Sequence, residues 1–296
     1  MDYYNQIKEE LINNETYKRV KDFSKNKSDL KTYYNVGKIL SDAGKHYGEG
    51  IIKEYSIKLT NELGKGYSVT NLKRMRQFYL YIEKGAPLGH QLTWSHYKYL
   101  LPIKDDTKRD YYINRCIKEN LSKRELQKVI KEKEYERLPE LTKEKIKKQQ
   151  ELSLIEEIKE PIIIKSKNNI DKDKIKEKIL KQIILENIDD FLNQLGDGYS
   201  YIGNEYKIKV GNTYNYIDIL LYNVIYHSYV VVELKVTSLK KEYIGQILLY
   251  RNYIDENIKN INDNKTIGLI IVKENNKYII KYSTDDRIKA VEYILT

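Results

Sequence analysis

The chain has 296 residues, with 53 Lys+Arg against 43 Asp+Glu, a formal net charge of +10, 29 Tyr and a single cysteine, Cys116. One cysteine excludes a disulfide framework and a cysteine-based metal site, and it fits a reducing compartment. No apolar run approaches the roughly 20 residues of a membrane span, and the opening Met1-Asp2-Tyr3-Tyr4-Asn5-Gln6 lacks the basic-then-apolar pattern of a secretory leader, so a soluble, cytoplasmic protein of about two domains is expected.

The charge is unevenly placed. Residues 1–130 hold 25 Lys+Arg against 16 Asp+Glu, net +9, residues 131–170 hold 10 against 9, and residues 171–296 hold 18 against 18. A basic module joined to a neutral one is the layout of nucleic-acid docking beside chemistry. The abundance of Ile, Lys, Asn and Tyr is also that of an AT-rich coding sequence, which by itself enriches lysine and tyrosine.

Spaced apolar positions predict helices over residues 5–25 (Ile7, Leu11, Tyr17, Val20) and 28–43 (Leu30, Tyr34, Val36, Ile39, Leu40). A third helix is expected from Ile51 to Leu63, with Ile52, Tyr55, Ile57 and Leu59 inward, ended by Gly64-Lys65-Gly66. Ser68 then caps a helix starting near Val69. Its inward stripe is Leu72, Met75 and Phe78-Tyr79, which leaves Lys73, Arg74, Arg76 and Gln77 on the other face. A helix, a turn and a capped basic helix outline a helix-turn-helix, whose second helix enters the major groove. The same pattern also describes an ordinary helix with a solvated face. In the DNA-reading version Ser68, Asn71, Lys73, Arg74, Arg76, Gln77 and His96 form the contact surface.

After a polar loop at 84–89, Thr93 caps a helix in which Trp94, Tyr97, Leu100 and Leu101 face inward. His96 reads as a core-edge or phosphate-contacting residue rather than a catalyst. Residues 105–119 form a helix, and Ser122 with Glu125 forms a capping box for the next. Lys131 to Gln150 alternates Lys and Glu and reads as a solvated helix or linker, with a domain boundary within 161–169.

A long amphipathic helix is predicted over 171–195 and carries Glu186. Strands follow at 199–203, 205–210, 214–222 and 229–236, then a helix at 240–257, an apolar strand at 266–272 and a further strand at 277–283. Residues two apart on a strand share a face. Glu233 and Lys235 therefore point the same way, Leu234 points into the core, and hairpin pairing can bring Asp218 alongside Glu233. Charged groups are rarely placed in such strands unless paired or bound to a metal. Two carboxylates on rigid strands can hold magnesium, and the lysine can orient or deprotonate water or neutralise charge on phosphate. Taken alone, the same residues also describe an acid–lysine pair across a surface hairpin.

The order α-β-β-β-α-β, with Asp218 on one strand, Glu233-Leu234-Lys235 on the next and Gln246 on the following helix, resembles the PD-(D/E)XK nuclease superfamily. The segments Leu195-Gly196-Asp197-Gly198-Tyr199, Tyr216-Ile217-Asp218-Ile219-Leu220, Val232-Glu233-Leu234-Lys235, Gly245-Gln246-Ile247 and Thr266-Ile267-Gly268-Leu269-Ile270 resemble the C-terminal domain of its YhcG-like branch. The run from Gly66 to Tyr79 and Leu92-Thr93-Trp94-Ser95-His96-Tyr97 resemble that family's N-terminal domain. Ile217 stands where the superfamily pattern often has proline. The resemblance implies Asp218 and Glu233 as metal ligands with the Leu234 carbonyl, Lys235 as catalytic lysine and Gln246 as auxiliary glutamine. It implies Glu186 as the first-helix acid, with Asp189 and Asp190 as rivals.

The expected architecture is an all-helical, winged-helix-like, basic DNA-binding domain at 1–135, a charged helical linker at 136–170, and a restriction-endonuclease-like α/β nuclease domain at 171–296. The expected function is magnesium- or manganese-dependent hydrolysis of DNA, with the N-terminal domain docking the duplex and dimerisation by analogy. The alternatives are a catalytically idle nuclease fold that binds DNA or assembles with it, and an RNA nuclease. Phosphate contacts do not separate the two polymers.

Overall fold

A computed structural model of the chain describes residues 2–20, 25–48, 50–85, 92–166, 174–281 and 285–296. They divide into two compact units, Met1–Tyr135 and Glu136–Thr296. The described helices of the first unit are α1 (Tyr3–Val20), α2 (Lys25–Tyr47), α3 (Ile51–Leu63), α4 (Val69–Glu83), α5 (Trp94–Leu100), α6 (Asp106–Glu119) and α7 (Lys123–Lys131). Among the described residues this unit contains no strand, so the wing of a winged helix does not occur among them. The loop expected at 84–89 lies mostly outside the described residues, as do positions 21–24 of the first predicted helix.

The inward stripe of α4 is Leu72, Met75, Phe78 and Tyr81. Phe78 packs on the rings of Trp94 and Tyr97, with centroids 5.7 and 4.7 Å away. Helix α4 lies against α2, and the crossing is close at Gly37, where an added Cβ would stand 2.1 Å from the Met75 carbonyl oxygen. Only a residue without a side chain lets the two backbones approach so nearly. In α3 the buried stripe is Ile52, Tyr55, Ser56 and Leu59, while Ile57 is exposed, which corrects the predicted inward set by one position.

The second unit opens with α8 (Glu140–Lys147), α9 (Leu154–Glu157) and strand β1 (Ile162–Ile164). It continues with α10 (Glu177–Glu186), α11 (Ile188–Leu195), β2 (Tyr199–Val210), β3 (Thr213–Asn223), β4 (Ser228–Ser238), α12 (Lys241–Asn257), β5 (Asn264–Glu274), α13 (Lys277–Lys281) and β6 (Ile288–Leu295). The sheet order is β1-β6-β5-β4-β3-β2. From β1 to β4 neighbouring strands run parallel, while β4, β3 and β2 form an antiparallel meander.

Three expectations change here. Residues 136–166 are not a linker. Leu154 and Ile158 are core residues of the second unit, Ile162–Ile164 pairs with β6, and the Lys289 ammonium is buried against the carbonyls of Ile155 and Ile158 at 2.9 and 2.6 Å. Burial pushes the pKa of Lys289 down to about 8. A three-residue apolar run inside a charged stretch is too short to show a period. The helix predicted over 171–195 is two helices that break at Asn187, whose side-chain amide donates to the Ile183 carbonyl at 3.1 Å and competes with helical bonding. Residues 277–281 are helical rather than a strand.

One face of the sheet packs Ile219, Leu221, Val230, Val232 and Leu234 against Leu180, Ile184, Phe191 and Leu195 of α10 and α11. The other face packs Val231, Ile270 and Val272 against Ile247, Tyr250 and Ile254 of α12. Gly268 on β5 admits α12, since an added Cβ would meet the Ile247 side chain at 3.0 Å. No described helix is long and apolar enough to cross a membrane.

Gly37→Ala should lower the stability of the first unit by about 1–3 kcal/mol, because the helix crossing must open to admit the methyl group. Denaturant unfolding of parent and variant measures it.

Candidate active site

Strand β3 pairs with β4 from Asn223↔Ser228 to Ile219↔Val232, and the ladder stops there. The next residues along are Asp218 and Glu233. Side chains take over where backbone pairing ends. The Leu234 N–H donates to Asp218 Oδ2 at 3.0 Å, and the Asp218 N–H donates to Glu233 Oε1 at 3.5 Å. On the other side of Asp218 the packing turns over: Ile219 belongs to the α10–α11 face, whereas Ile217 belongs to the α12 face. Glu205 on the neighbouring strand has φ +47°, a left-handed conformation that non-glycine residues seldom adopt. The carboxylates therefore sit where the sheet opens and twists.

Glu233 is almost wholly buried, at 1% exposure. Burial, and next the Asp218 carboxylate, push its pKa up to about 7, against the opposing pull of Lys235. The Lys235 ammonium donates to Glu233 Oε2 at 3.3 Å, stands 3.8 Å from Glu177 Oε2 and lies 5.2 Å from the centre of the Tyr243 ring. Burial opposes its charge, but the carboxylates of Glu233, Glu177 and Asp218 outweigh burial and its pKa is raised. Lys235 is thus a held cation in this arrangement, suited to neutralising developing charge rather than to taking a proton.

A second lysine, which sequence reasoning missed, completes the balance. Lys181 of α10 donates to Asp218 Oδ1 at 2.8 Å and also to Glu205. Burial works against its charge, but the hydrogen bonds it donates to Asp218 and Glu205 prevail and its pKa is raised. On α12, Gln246 donates to the Tyr250 hydroxyl at 3.1 Å. Burial raises the Tyr250 pKa, the Gln246 hydrogen bond lowers it, and the charges of Glu233, Lys235 and Asp218 also reach it.

Glu186 does not join them. It is exposed at the far end of α10 and accepts from Gln182 at 3.0 Å. The end of α10 near the site carries Glu177 and Lys181; Glu186 lies nine residues beyond Glu177, about 13 Å along the helix axis. Glu177 is therefore the carboxylate of α10 that stands nearest Lys235. Asp190 pairs with Lys165 at 3.6 Å, and Asp189 lies on α11. Among the described residues no group of three or more His, Cys, Asp or Glu side chains could hold a metal ion. Asp218 and Glu233 are the two carboxylates at the end of the β3–β4 ladder, while Glu177 and Glu205 pair with the lysines. The Leu234 carbonyl faces the same gap, since N–H and C=O of one strand residue point the same way. An all-oxygen set with few protein donors suits a hard cation that keeps its waters.

In the first unit, Ser68 accepts from the Asn71 N–H at 3.3 Å, and the Asn71 amide donates to the Gly66 carbonyl at 2.8 Å, so both hold the turn before α4. Lys73 and Gln77 are exposed, and Arg74 and Arg76 half-buried. The Arg76 guanidinium reaches α2 at Gly44, where an added Cβ would stand 3.2 Å from Nη1. His96 is buried, with Nδ1 facing the Thr93 N–H at 3.1 Å and Nε2 facing the Leu121 carbonyl at 3.0 Å. Both ring nitrogens are spent on packing α5, which removes His96 from the expected nucleic-acid surface.

Residues 155–295 match the family model described as the YhcG PDDEXK nuclease domain, and residues 8–137 match the DUF1016 N-terminal domain. The chain belongs to the YhcG-like family. YhcG of Escherichia coli (strain K12), which carries a provisional nuclease name, is 24% identical over 288 residues, covering 82% of this chain and 76% of the relative. Two solved structures overlap the chain in part. A repair endonuclease from Pyrococcus abyssi shares 14% identity over 44% of this chain and 49% of that one, at a TM-score of 0.30. The EndoMS-dsDNA2 complex shares 15% over 44% and 47%, at 0.29. The chain thus spans about half the length of each.

The YhcG-type site gives a test of Glu233. A carboxyl whose pKa is higher in the folded than in the unfolded chain binds more protons when folded, so its contribution falls as pH rises from about 4.5 through 7. In EDTA, Glu233→Gln should be the more stable chain at pH 8, by an amount on the order of 1–3 kcal/mol, and the difference should vanish near pH 4. Thermal melts of both chains across that range measure it.

Proposed function

We propose that this YhcG-like chain hydrolyses phosphodiester bonds in DNA with magnesium or manganese. The observation that carries the proposal is the pair of carboxylates at the open end of the β3–β4 ladder, Asp218 and the buried Glu233, with the Lys235 ammonium 3.3 Å from Glu233.

The roles follow from placement. Asp218, Glu233 and the Leu234 carbonyl would hold the cation. The cation, when bound, supplies neutralisation of phosphate oxygens and a more acidic water. Glu177, on the helix end that meets Lys235, is the protein's further acid for ordering water. Lys235 and Lys181 bring positive charge to where a phosphate would lie, and that charge is held in place before the reaction, so little reorganisation is needed. Gln246, steadied by Tyr250, borders the same space and can orient the attacking water or the scissile group. The packed sheet on both sides keeps these groups rigid.

DNA is the substrate we infer because residues 1–130 hold the chain's excess positive charge and include a capped helix, α4, whose Lys73, Arg74 and Arg76 give it a duplex-reading outline. Lys73, Arg74 and Gln77 of α4 form its docking face, while Ser68 and Asn71 set the angle of that helix. A homodimer would put two sites on the two strands of a duplex. The catalytically idle alternative predicts binding without cutting.

A cleavage assay on linear, supercoiled, single-stranded and branched DNA and on RNA, in magnesium, manganese or EDTA, tests the reading. Metal-dependent cutting of DNA is expected, reduced about 100-fold or more in Glu233→Ala and Lys235→Ala. Binding without cutting, unchanged in both variants, would sink the hydrolytic reading. For docking, Lys73→Ala with Arg74→Ala should lower the log–log salt slope of duplex binding by about 1.8, measured by anisotropy, and leave cleavage of short oligonucleotides intact.

A further inference from the structure

The β2–β3 hairpin carries a surface that the catalytic roles leave unused. Beyond Glu205 and Asp218 its strands stay paired from Tyr206↔Ile217 to Val210↔Thr213. One side of this stretch, with Tyr206, Ile208, Val210 and Ile217, packs into the α12 core. The opposite side sets Lys207 across from Tyr216 and Lys209 across from Tyr214. All four are exposed, the two tyrosines at 53% and 48%. The Lys207 ammonium lies 3.9 Å from the Tyr214 ring centre, and that of Lys209 lies 6.0 Å from it. Neither lysine has a carboxylate partner among the described residues.

Two open aromatic rings among two unopposed cations, beginning two residues from Asp218, are an arrangement with a use. We propose that this face is a track on which an unpaired strand of nucleic acid lies as it enters the site. The proposal rests on the reading of Asp218 and Glu233 as a phosphodiesterase centre. Every base offers a flat face to a tyrosine ring, so stacking holds a strand without reading its sequence. The lysines meet the phosphates, releasing their counterions. Alternate residues of a strand stand about 7 Å apart, so Tyr214 and Tyr216 form a spaced pair on one side of β3 that ends two residues before Asp218. A duplex keeps its base faces stacked inside and offers only phosphates, so the rings select an unpaired strand.

β2 is the last strand of the sheet, and its edge could instead pair with the same strand of a second copy. Lysines on an edge strand oppose that kind of pairing, and continuity with the site favours nucleic acid.

The experiment uses the full chain in EDTA, so that binding is read without cleavage. Anisotropy of a labelled single-stranded oligonucleotide, and of a duplex of the same sequence, is followed across a salt series. Tyr214→Ala with Tyr216→Ala should weaken single-strand binding about tenfold or more at fixed salt while leaving the salt slope unchanged. Lys207→Gln with Lys209→Gln should lower that slope by about 1.4. Tyr214→Phe with Tyr216→Phe keeps the rings and should bind as the parent does, which separates stacking from a folding defect. The track falls if the parent binds single strands and both double variants match it in affinity and slope. It falls equally if the variants alter only the sedimentation of the chain, which would make the face a contact between copies. A parent that cuts DNA in magnesium while the hairpin variants bind normally would remove the track alone. A parent that neither binds nor cuts any nucleic acid would remove the catalytic reading and the track together.

Discussion

Two carboxylates side by side within a sheet are the constraint from which the rest of the second unit follows. Each is costly to bury alone, and each raises the cost of the other. The ladder ends at Ile219↔Val232, so the backbone groups beyond it are free to bond Asp218 and Glu233 instead of a neighbouring strand. Two lysines from separate elements, Lys235 on β4 and Lys181 on α10, supply the opposing charge. Even so, burial first and the Asp218 carboxylate next push the Glu233 pKa above that of a free carboxyl, against the pull of Lys235. A divalent cation is the natural complement to such a residue.

The rest of the unit keeps that arrangement in place. Helix α10 enters at the open end of the ladder, bringing Lys181 and Glu177, and is anchored through Leu180, Ile183 and Ile184. Helix α12 is held on the other face by Ile247 and Ile254 and by the nearly unexposed Arg251, which pairs with Asp285. With Gly268 beneath it, α12 sits near enough to the sheet for the charges of Glu233, Lys235 and Asp218 to reach Tyr250. Two packed helices and a central parallel sheet thus converge on one break in one hairpin.

The centre of this site was legible in the sequence because strand chemistry is local. Alternation fixes that Glu233 and Lys235 share a side and that Leu234 is core, and turn residues fix the hairpin that sets Asp218 beside them. The helical contributions were not legible in the same way. A helix repeats its faces every turn, so which of Glu177, Glu186, Asp189 and Asp190 meets the sheet depends on where α10 docks and on the break at Asn187, both tertiary facts. Lys181 looked like any solvated lysine, although its place four residues after Glu177 is the spacing that puts two groups on one helix face. Of the two readings of His96, core edge and phosphate contact, the structure shows the first: its side chain serves Thr93 and Leu121, and a polar residue spent on such local bonds looks the same in sequence as one offered to a ligand. Residues 136–166 were obscured by charge. Their buried apolar positions, Leu138, Leu154, Ile158, Ile162 and Ile164, are too sparse to form a period.

The parallel pairing of β1 with β6 bears on the order in which the unit assembles. β1 is synthesised about 130 residues before the strand it joins, whereas β2, β3 and β4 follow one another through short turns. On a growing chain the carboxylate-bearing meander can form while Ile162–Ile164 still lacks a neighbour. The far edge of the sheet closes only when the last strand has been made. A contact so distant along the chain carries a large loop-closure cost, of the kind that slows folding.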